Sequence, residues 1–399
     1  MAFVSLPGYV YNRLPMSEQT LRIALNAQLL NLDSSYRSAG ISQYIYGLLR
    51  HLPAQSKRFQ YYVHTGEAKA VLDGMQRLLT TRHTKRPLVR IVWEQVVWPL
   101  ALQRLQPDLV HGLAYVLPLA YRGKGLVTVY DLTFLRVPMA FRAPNRLYLQ
   151  TMTRLAVRRA AHVCAISEST RRDIVKTLGV PESSVSVVYP GVDERFRPAS
   201  PEALEAFRRR HGLPERYVLY LGTLEPRKNV TTLVRAYARL VAREPQTPLL
   251  VLAGAKGWYF EDVFAEVERL GLQERVMFPG YVPAEEQALW YSGAEVFVYP
   301  SRYEGFGMPV AEAMACGTPV IASTAASLPE VVGDAGLLVP PDDEVALADT
   351  LAHVLANREV REALSAAGRR QAAKFSWQAA AQAQVRIYEQ CAGAKEGAL

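Results

Sequence analysis

Two glutamates eight residues apart, Glu304 and Glu312, enclose a glycine-rich stretch that follows an apolar run. This pattern predicts a strand, a turn and a helix that begins near Pro309, a favourable first-turn residue, with Glu312 in that first turn. Free backbone N–H groups at such a helix start can hold a phosphate, and Gly305 and Gly307 permit a ligand to approach the backbone closely. We therefore expect an anion site, where one carboxylate can face a sugar ring while the other accepts hydrogen bonds from ribose hydroxyls.

An ordinary turn with two solvated glutamates is the alternative interpretation of this segment. Two glutamates at this spacing alone would be weak support for a site. The pattern continues, however, through residues 313–321, and chance matches become rare as a motif lengthens. The longer pattern favours a functional site.

A second candidate is the basic loop from Gly222 to Asn229, which follows the apolar run 217–221. Arg227 and Lys228 lie at the mouth of this loop and can neutralise a diphosphate, whose developing charge must be stabilised if it is to depart. Asn229 is a plausible N-cap for the helix that follows. An ordinary helix start with basic residues is the alternative interpretation.

Further candidates lie at other strand ends. Gly40 opens the first predicted helix and again permits phosphate approach, although one glycine before a helix is weak support. Asp131 ends a buried strand, where orientation of substrate hydroxyls and simple capping are equally good interpretations. His111 also ends a strand, and a lone histidine there is more often packed and hydrogen-bonded than catalytic. Gly254 follows a strand on a loop that can line a nucleotide pocket.

Short apolar runs alternate with helical runs along the chain, as parallel α/β layers require. A helix is expected over 41–52. The runs that indicate strands are the start of 21–30, then 109–111, 126–130, 163–166, 185–188, 217–221, 249–253, 276–278, 296–299, 319–322 and 337–339. The sequence therefore predicts an α/β fold with parallel sheets.

The domain organisation follows from length and turn chemistry. With 399 residues the chain is too long for one ordinary core, and turn residues at 189–193, followed by prolines, place a boundary there. We expect a leader over 1–18, a first Rossmann-like domain over 19–196 and a second over 197–376. The remaining residues, 377–399, are expected to form a helix that packs back on the first domain.

Composition narrows the class of protein. Half of the residues are hydrophobic and 21% are charged, which is typical of a globular protein. The three cysteines are odd in number and far apart, which favours a reducing compartment. No apolar run could span a membrane, no signal peptide is visible, and Met16 could be the true start. No Asp-x-Asp lies at a strand end, and capping explains Asp342 and Asp343, so no metal or other cofactor is expected.

The chain resembles glycosyltransferase family 4, a retaining group with the GT-B fold, over nearly its whole length from about Leu21. Within that family it looks most like the bacterial polysaccharide mannosyltransferase-like branch. The resemblance implies two facing Rossmann-like domains and a metal-independent, retaining transfer of a hexose from a nucleotide-sugar. The segments that carry it are Val188-Tyr-Pro-Gly-Val-Asp193, Gly222-Thr-Leu-Glu-Pro-Arg-Lys-Asn229, Phe278-Pro-Gly-Tyr-Val-Pro283, Glu304-Gly-Phe-Gly-Met-Pro-Val-Ala-Glu312 and Phe375-Ser-Trp377.

The resemblance also implies residue roles in the second domain. Glu304 and Glu312 match the two glutamates of the family's E-x7-E motif, the first beside the donor sugar and the second beside the nucleotide ribose. Lys228 matches the basic residue at the diphosphate. Many members have Gly-Arg where this chain has Gly222-Thr223, so Arg227 is expected to take the role of that arginine.

In the first domain the family's loop at Gly40 touches donor and acceptor. The family usually has His-Asp where this chain has Tyr130-Asp131, so Asp131 is the candidate for orienting hydroxyls. Tyr281-Val282 resembles the segment whose backbone reads the base. The expected donor-binding residues are Gly40, Gly222, Gly254, Val282, Gly305, Phe306, Gly307, Met308, Pro309 and Glu312.

Branch resemblance implies GDP-mannose as the donor, with UDP-glucose next, and a glycan or lipid-pyrophosphate-linked acceptor in polysaccharide biosynthesis. Two alternatives remain. One is a nucleotide-sugar epimerase on the same fold, and the other is a catalytically silent GT-B protein that binds sugar nucleotides. The intact set of Glu304, Glu312 and Lys228 argues against the silent protein.

Charge divides the two halves of the chain. Residues 1–195 contain 25 lysines and arginines against 12 acidic residues, whereas residues 196–399 contain 21 against 25. We therefore expect the first domain to carry the acceptor site and to face the anionic cytoplasmic membrane reversibly. The basic stretch 142–159 is equally well interpreted as a membrane-surface helix or as a core-packed helix with a solvated basic face. Nucleic acid is a weaker option, because no recognised binding module is visible.

Overall fold

The computed structural model describes residues 20–32, 40–80, 84, 86–137 and 143–393. The expected leader over 1–18, with Met16, lies outside the described residues. Arg142 and residues 394–399 also lie outside them.

The first half of the chain forms a parallel sheet of seven strands within the described residues. The strands are β1 Leu21–Asn26, β2 Phe59–Thr65, β3 Gln76–Leu79, β4 Leu109–Gly112, β5 Gly125–Val129, β6 His162–Ala165 and β7 Val185–Val187. Their order across the sheet is β3-β2-β1-β4-β5-β6-β7. The central strands β4 and β5 are buried along their whole length, because helices cover both faces of the sheet.

Helices connect these strands and carry the apolar residues that cover the sheet. They are α1 Ile41–Gln55, α2 Pro87–Val92, α3 Trp98–Leu105, α4 Thr133–Arg136, α5 Ala143–Arg159 and α6 Glu168–Asp173. A π-helical segment, Trp93–Val97, joins α2 to α3, and another, Ile174–Leu178, follows α6. A 3₁₀ turn, Glu182–Ser184, precedes β7.

The second half repeats this architecture with six parallel strands in its described residues. The strands are β8 Tyr217–Leu221, β9 Leu249–Ala253, β10 Val276–Gly280, β11 Val296–Tyr299, β12 Val320–Ser323 and β13 Leu337–Val339. Their order is β10-β9-β8-β11-β12-β13. The helices are α7 Pro201–His211, α8 Val230–Arg243, α9 Glu261–Arg269, α10 Gln287–Gly293, α11 Met308–Ala315, α12 Leu328–Val332, α13 Glu344–Ala356, α14 Arg358–Ala372 and α15 Trp377–Gly393, with a 3₁₀ turn at Pro226–Lys228.

The α/β fold with two parallel sheets, expected from the sequence, is confirmed. Every run predicted to be a strand contains a strand. The predicted and observed boundaries differ by at most two residues, except for the first run, whose end was only loosely predicted. Two strands were missed, β2 and β3. Strand β2 consists mainly of aromatic and polar residues, FQYYVHT, so it lacks the aliphatic run that marks its neighbours. Strand β3 is a four-residue edge strand, QRLL, too short to show a pattern.

The C-terminal helix α15 packs against α1, so the chain returns to the first half. The Tyr388 hydroxyl is hydrogen-bonded to Nδ1 of the buried His111 at 2.8 Å. The chain therefore crosses between the halves twice, and the two crossings are adjacent, because the backbone N–H of Val192 donates to the Phe375 carbonyl at 2.9 Å.

We expect Gly47→Ala to destabilise the protein at the contact between α1 and α15. A Cβ at Gly47 would lie 2.3 Å from the Trp377 ring, so the indole must move. Overpacking of this kind costs about 1–3 kcal/mol, which exceeds the helix-propensity gain of alanine. Gly393→Ala is the control, since its Cβ would meet nothing within 4 Å. Equal denaturant midpoints for the two variants would contradict the packing described.

Candidate active site

A cavity of about 370 Å³ lies between the two sheets, at the ends where their parallel strands terminate. Its lining includes every residue that the sequence singled out for catalysis or donor binding. These residues are Gly40, Asp131, Gly222, Arg227, Lys228, Gly254, Val282, Glu304, Gly305, Phe306, Gly307, Met308, Pro309 and Glu312. The parallel topology explains this convergence, because each of them follows the carboxyl end of a strand or lies within the first two turns of the helix after it.

A buried cluster of charges occupies one wall of the cavity. Glu304 Oε1 accepts a hydrogen bond from Lys228 Nζ at 2.7 Å, and Glu304 Oε2 lies 3.0 Å from an Arg227 nitrogen. The Ser301 hydroxyl donates to the same carboxylate at 2.7 Å. Burial favours the neutral acid, but the two cations outweigh it and hold the pKa of Glu304 at about 2. Burial lowers the pKa of Lys228, and Glu304 opposes that shift.

Sequence reasoning missed Glu225, a second buried carboxylate of this cluster. It accepts from Nε and Nη2 of Arg227 at 3.0 and 2.8 Å, so the guanidinium is held from two sides by Glu225 and Glu304. Burial raises the pKa of Glu225, and Arg227 opposes that shift. The signal for this residue was its position two residues before Arg227, in a loop already singled out.

Tyr299 was also missed, because it lies inside a strand predicted to be purely structural. Its hydroxyl accepts a hydrogen bond from Lys228 Nζ, and its ring centroid lies 4.9 Å from that nitrogen. The ammonium of Lys228 is thus fixed by the Glu304 carboxylate and the Tyr299 hydroxyl.

The loop that carries Arg227 is anchored by Asn229 in a way the sequence did not predict. Helix α8 begins directly after Asn229, but the side chain makes no capping hydrogen bond to it. The backbone of Asn229 is left-handed, with φ of 58°, and Nδ2 donates to the carbonyls of Pro300 and Pro341. Asn229 therefore occupies the predicted N-cap position, but its side chain does not cap the helix. Asn229 instead fastens the basic loop to the start of the Glu304 segment.

The glycine-rich turn contacts the first half of the chain directly. A Cβ at Gly305 would lie 2.2 Å from the Tyr130 carbonyl oxygen, so the absence of a side chain here serves a backbone contact between the halves. Gly307 has φ of 106°, a conformation that favours glycine, and it precedes the first residue of α11. The N-terminus of α11 borders the cavity through Gly307, Met308 and Pro309.

Glu312 lies in the second turn of α11, because the helix begins at Met308, so its predicted place in the first turn was wrong. Its carboxyl is 5% exposed and accepts a hydrogen bond from the Tyr291 hydroxyl at 3.1 Å. Burial raises the pKa of Glu312 to about 7. The two glutamates of the motif therefore differ, since neighbouring cations lower the pKa of Glu304 whereas burial raises the pKa of Glu312.

The first half contributes Asp131 and Tyr130 to the opposite wall. Asp131 Oδ1 accepts from the Thr133 backbone N–H at 2.9 Å and from the Tyr115 hydroxyl at 3.3 Å, so it stabilises a turn as well as lining the cavity. The Tyr130 hydroxyl donates to the Leu113 carbonyl at 2.7 Å, and its ring borders the cavity. His111 is fully buried and is absent from the cavity lining, as a packed histidine would be.

Direct hydrogen bonds join the halves beside the cavity. The Glu330 carboxylate accepts from the backbone N–H groups of Glu168 and Ser169, each at 2.9 Å, at the N-terminus of α6. A carboxylate is favourable there because the helix end carries partial positive charge. The Tyr303 hydroxyl donates to Asp173 at 2.8 Å. These contacts keep the cavity walls facing each other.

Neither a metal site nor a membrane span is found in the described part of the chain. No group of three His, Cys, Asp or Glu side chains there could hold a metal ion. No helix there is long and apolar enough to cross a bilayer.

Sequence comparison finds matches to two family models. Residues 38–196 match the model described as Glycosyltransferase Family 4, and residues 204–371 match Glycosyl transferases group 1. The O-antigen chain mannosyltransferase B of Escherichia coli is 33% identical over 279 residues, which cover 70% of this chain and 73% of that protein. The D-inositol 3-phosphate glycosyltransferase of Corynebacterium jeikeium is 37% identical over 55% of each chain.

Structural comparison finds the same fold in solved glycosyltransferase structures. Sucrose-phosphate synthase from Thermosynechococcus elongatus has a TM-score of 0.75 at 24% identity and covers 93% of this chain and 98% of its own. Anabaena HepE, solved in complex with UDP-glucose, has a TM-score of 0.71 at 20% identity over 93% of this chain and 99% of its own. The expected GT-B architecture is therefore confirmed.

We expect Glu312 to make the stability of the ligand-free protein depend on pH. Its folded pKa of about 7 lies above the ordinary value of 4.5. Its contribution to stability is therefore complete below pH 4.5 and is lost as the pH rises through 7. Relative to Glu312→Gln, the unfolding free energy of the wild type should fall by roughly 2 kcal/mol between pH 5 and pH 8.

Denaturant unfolding of both proteins at several pH values measures this difference. Other titrating groups, including the buried His64 and His111, are common to the two proteins and cancel. A difference that stays constant with pH would contradict the assignment of a raised pKa to Glu312.

Proposed function

Because this chain belongs to glycosyltransferase family 4, we propose that it transfers a hexose, with retention of anomeric configuration, from a nucleotide-sugar to a glycan or lipid-pyrophosphate-linked acceptor. The process it serves is polysaccharide biosynthesis. The observation that carries the proposal is the buried cluster of Lys228, Arg227 and Glu304 beside the N-terminus of α11. Positive groups and a helix N-terminus together suit a diphosphate, and they perform this task without a metal ion.

The charge cluster suggests how the donor is bound. Lys228 and Arg227 are paired with Glu304 in the cavity wall. A donor diphosphate supplies the same negative charge to the two cations, so Glu304 becomes free to accept hydrogen bonds from sugar hydroxyls. Glu312, already hydrogen-bonded to Tyr291, is placed to bind ribose hydroxyls.

The transfer itself exchanges one bond at the anomeric carbon for another. The bond from that carbon to the diphosphate oxygen breaks, and Lys228, Arg227 and the helix start stabilise the negative charge that develops. The acceptor hydroxyl oxygen bonds to the same carbon from the same face, and its proton passes to the departing phosphate oxygen. Asp131, on the opposite wall, orients hydroxyl groups of the donor or acceptor.

The first choice of donor is GDP-mannose, since the Escherichia coli relative is a mannosyltransferase and WbdA, a serotype-specific mannosyltransferase, is 31% identical over 223 residues. UDP-glucose is the second choice, since the structurally similar HepE binds it. A thermal-shift panel of nucleotides distinguishes the bases, because a ligand at 100 times its dissociation constant adds roughly 2.7 kcal/mol of stability.

We further propose that the first half of the chain faces an anionic membrane reversibly and binds the acceptor there. The net basic charge of residues 1–195 supports this, and α5 turns Arg154, Arg158 and Arg159 to solvent. Flotation with anionic and neutral liposomes at low and high salt tests the electrostatic attraction. Equal binding to both lipids would count against it.

We expect Glu304→Ala and Lys228→Ala each to lose about 2–4 kcal/mol of transition-state stabilisation, or roughly thirtyfold to a thousandfold in kcat/KM. Steady-state assay with labelled donor and acceptor measures the loss. Arg302→Ala is the control, because Arg302 is a nearby cation that is 45% exposed and paired with Asp342 outside the cavity. Near wild-type turnover in both site variants would refute the assignment of these residues.

The same assay separates the alternative functions. Incubation with donor alone should give free sugar or no product, whereas an epimerase would give a rearranged nucleotide-sugar. Turnover unchanged by EDTA is expected for a metal-independent enzyme. A product with inverted anomeric configuration by NMR would overturn the retaining mechanism.

A further inference from the structure

The segment from Pro87 to Leu105 forms one continuous helical rod made of α2, the π-helical segment and α3. Backbone angles at both junctions are right-handed helical, so the chain does not break between the three parts. The inner face of this rod is packed into the first half through Trp93, Trp98 and Leu102, which are 7%, 0% and 1% exposed.

The outer face of the rod is apolar and exposed. Leu88, Val92, Val96 and Leu100 are 77%, 58%, 56% and 45% exposed, and Val89 beside them is 38% exposed. These four-residue steps would drift around an ideal α-helix by roughly 40° each, since a turn takes 3.6 residues. The wider turn of the π-helical segment offsets part of that drift. The four side chains therefore form one stripe about 18 Å long.

Two further exposed leucines lie on segments that contact the rod. The backbone N–H of Leu119, which is 36% exposed, donates to the Gln95 side chain at 3.0 Å. On the other side, the Tyr148 hydroxyl of α5 lies 3.5 Å from Glu94 Oε2, which places α5 beside the rod, and Leu147 of that helix is 65% exposed. An exposed apolar stripe of this length is unusual on a protein that stays in water.

The segment of sequence that contains the stripe is strongly basic. Residues 86–159 contain 11 lysines and arginines against three acidic residues, and one of those three, Glu94, is buried. Arg86 and Arg104 are exposed at the two ends of the rod. An exposed apolar stripe flanked by arginines matches a bilayer with anionic headgroups, where the side chains enter the acyl region and the cations remain at the phosphates.

The rod is also hydrogen-bonded to the strand that precedes the cavity-lining helix α1. Asn26, the last residue of β1, donates to Glu94 Oε1 at 3.2 Å, and the first helix after β1 borders the cavity at Gly40. The middle of the rod therefore lies near the carboxyl end of β1, whereas its C-terminal end lies near the start of that strand, where Arg22 Nη1 donates to the Leu105 carbonyl at 2.9 Å.

We propose that this rod is the membrane-inserting element of the protein, with Leu88, Val92, Val96 and Leu100 buried among the lipid acyl chains. The proposal rests on the peripheral association proposed above and adds an apolar component that charge alone does not supply. A second copy of this chain is a poorer occupant of the stripe, because two such faces would bring their flanking arginines together.

A probe at residue 92 tests the insertion. Val92→Cys is labelled with the environment-sensitive fluorophore NBD, and all three native cysteines are buried and so disfavoured for labelling. With vesicles that contain anionic phosphatidylglycerol, NBD emission should rise at least twofold and shift to the blue. The same label on Val345→Cys, at a 52% exposed position of α13, should not change. Unchanged emission at residue 92 while the protein floats with the vesicles would overturn the proposal.

Substitution of the stripe provides an independent test. The triple variant Leu88→Ser/Val92→Ser/Val96→Ser should bind these vesicles at least tenfold more weakly, whereas Val71→Ser, at a 63% exposed position of the same half, should bind normally. Thermal shift with the donor nucleotide should be equal in all three proteins, which separates this proposal from the proposed transferase site. Unchanged vesicle binding by the triple variant would refute insertion. Insertion would also be refuted if sedimentation showed dimers of the wild type and of Val71→Ser but a monomer of the triple variant.

Discussion

Four ionisable side chains with opposing charges share a space from which water is largely excluded. Removing a charge from water costs several kcal/mol, so Lys228 and Arg227 are tolerated in the cavity wall only because Glu304 and Glu225 accompany them. The two loops that carry these residues must therefore be held in a fixed position relative to each other. Asn229 holds them in position, because its side chain, on the loop of Arg227 and Lys228, donates to the carbonyl of Pro300 at the start of the loop of Glu304. The folding of the second half and the chemistry of its cleft thus depend on the same contacts.

Parallel topology makes such a cluster possible. Strands β8, β9 and β11 all end at one edge of their sheet, so loops far apart in sequence meet there without any long excursion of the chain. The first sheet presents the corresponding edge to the same cavity through Asp131. Side chains of opposite walls are then separated by a space that a nucleotide-sugar can fill, while the bulk of each domain serves to hold the edges in position.

The sequence predicted this arrangement well where position along a strand decides the outcome, and poorly where packing decides it. Every proposed site residue lies at the cavity, because apolar runs mark the strand ends and the resemblance to glycosyltransferase family 4 marks the motifs that follow them. Glu225 and Tyr299 were missed because their importance comes from the partner they contact and not from their own spacing. The stripe of Leu88, Val92, Val96 and Leu100 was also invisible, since the rod is apolar on both faces and the sequence does not tell which face meets the core.

The paired crossings between the halves have a mechanical consequence. A single linker would leave the two halves free to rotate relative to each other. Two adjacent crossings joined by the Val192–Phe375 hydrogen bond restrict that rotation. The two crossings also limit how the halves can be exchanged between related proteins. A chimaera that replaces the first half must bring its own version of α15, because that helix completes the core of the half to which it returns.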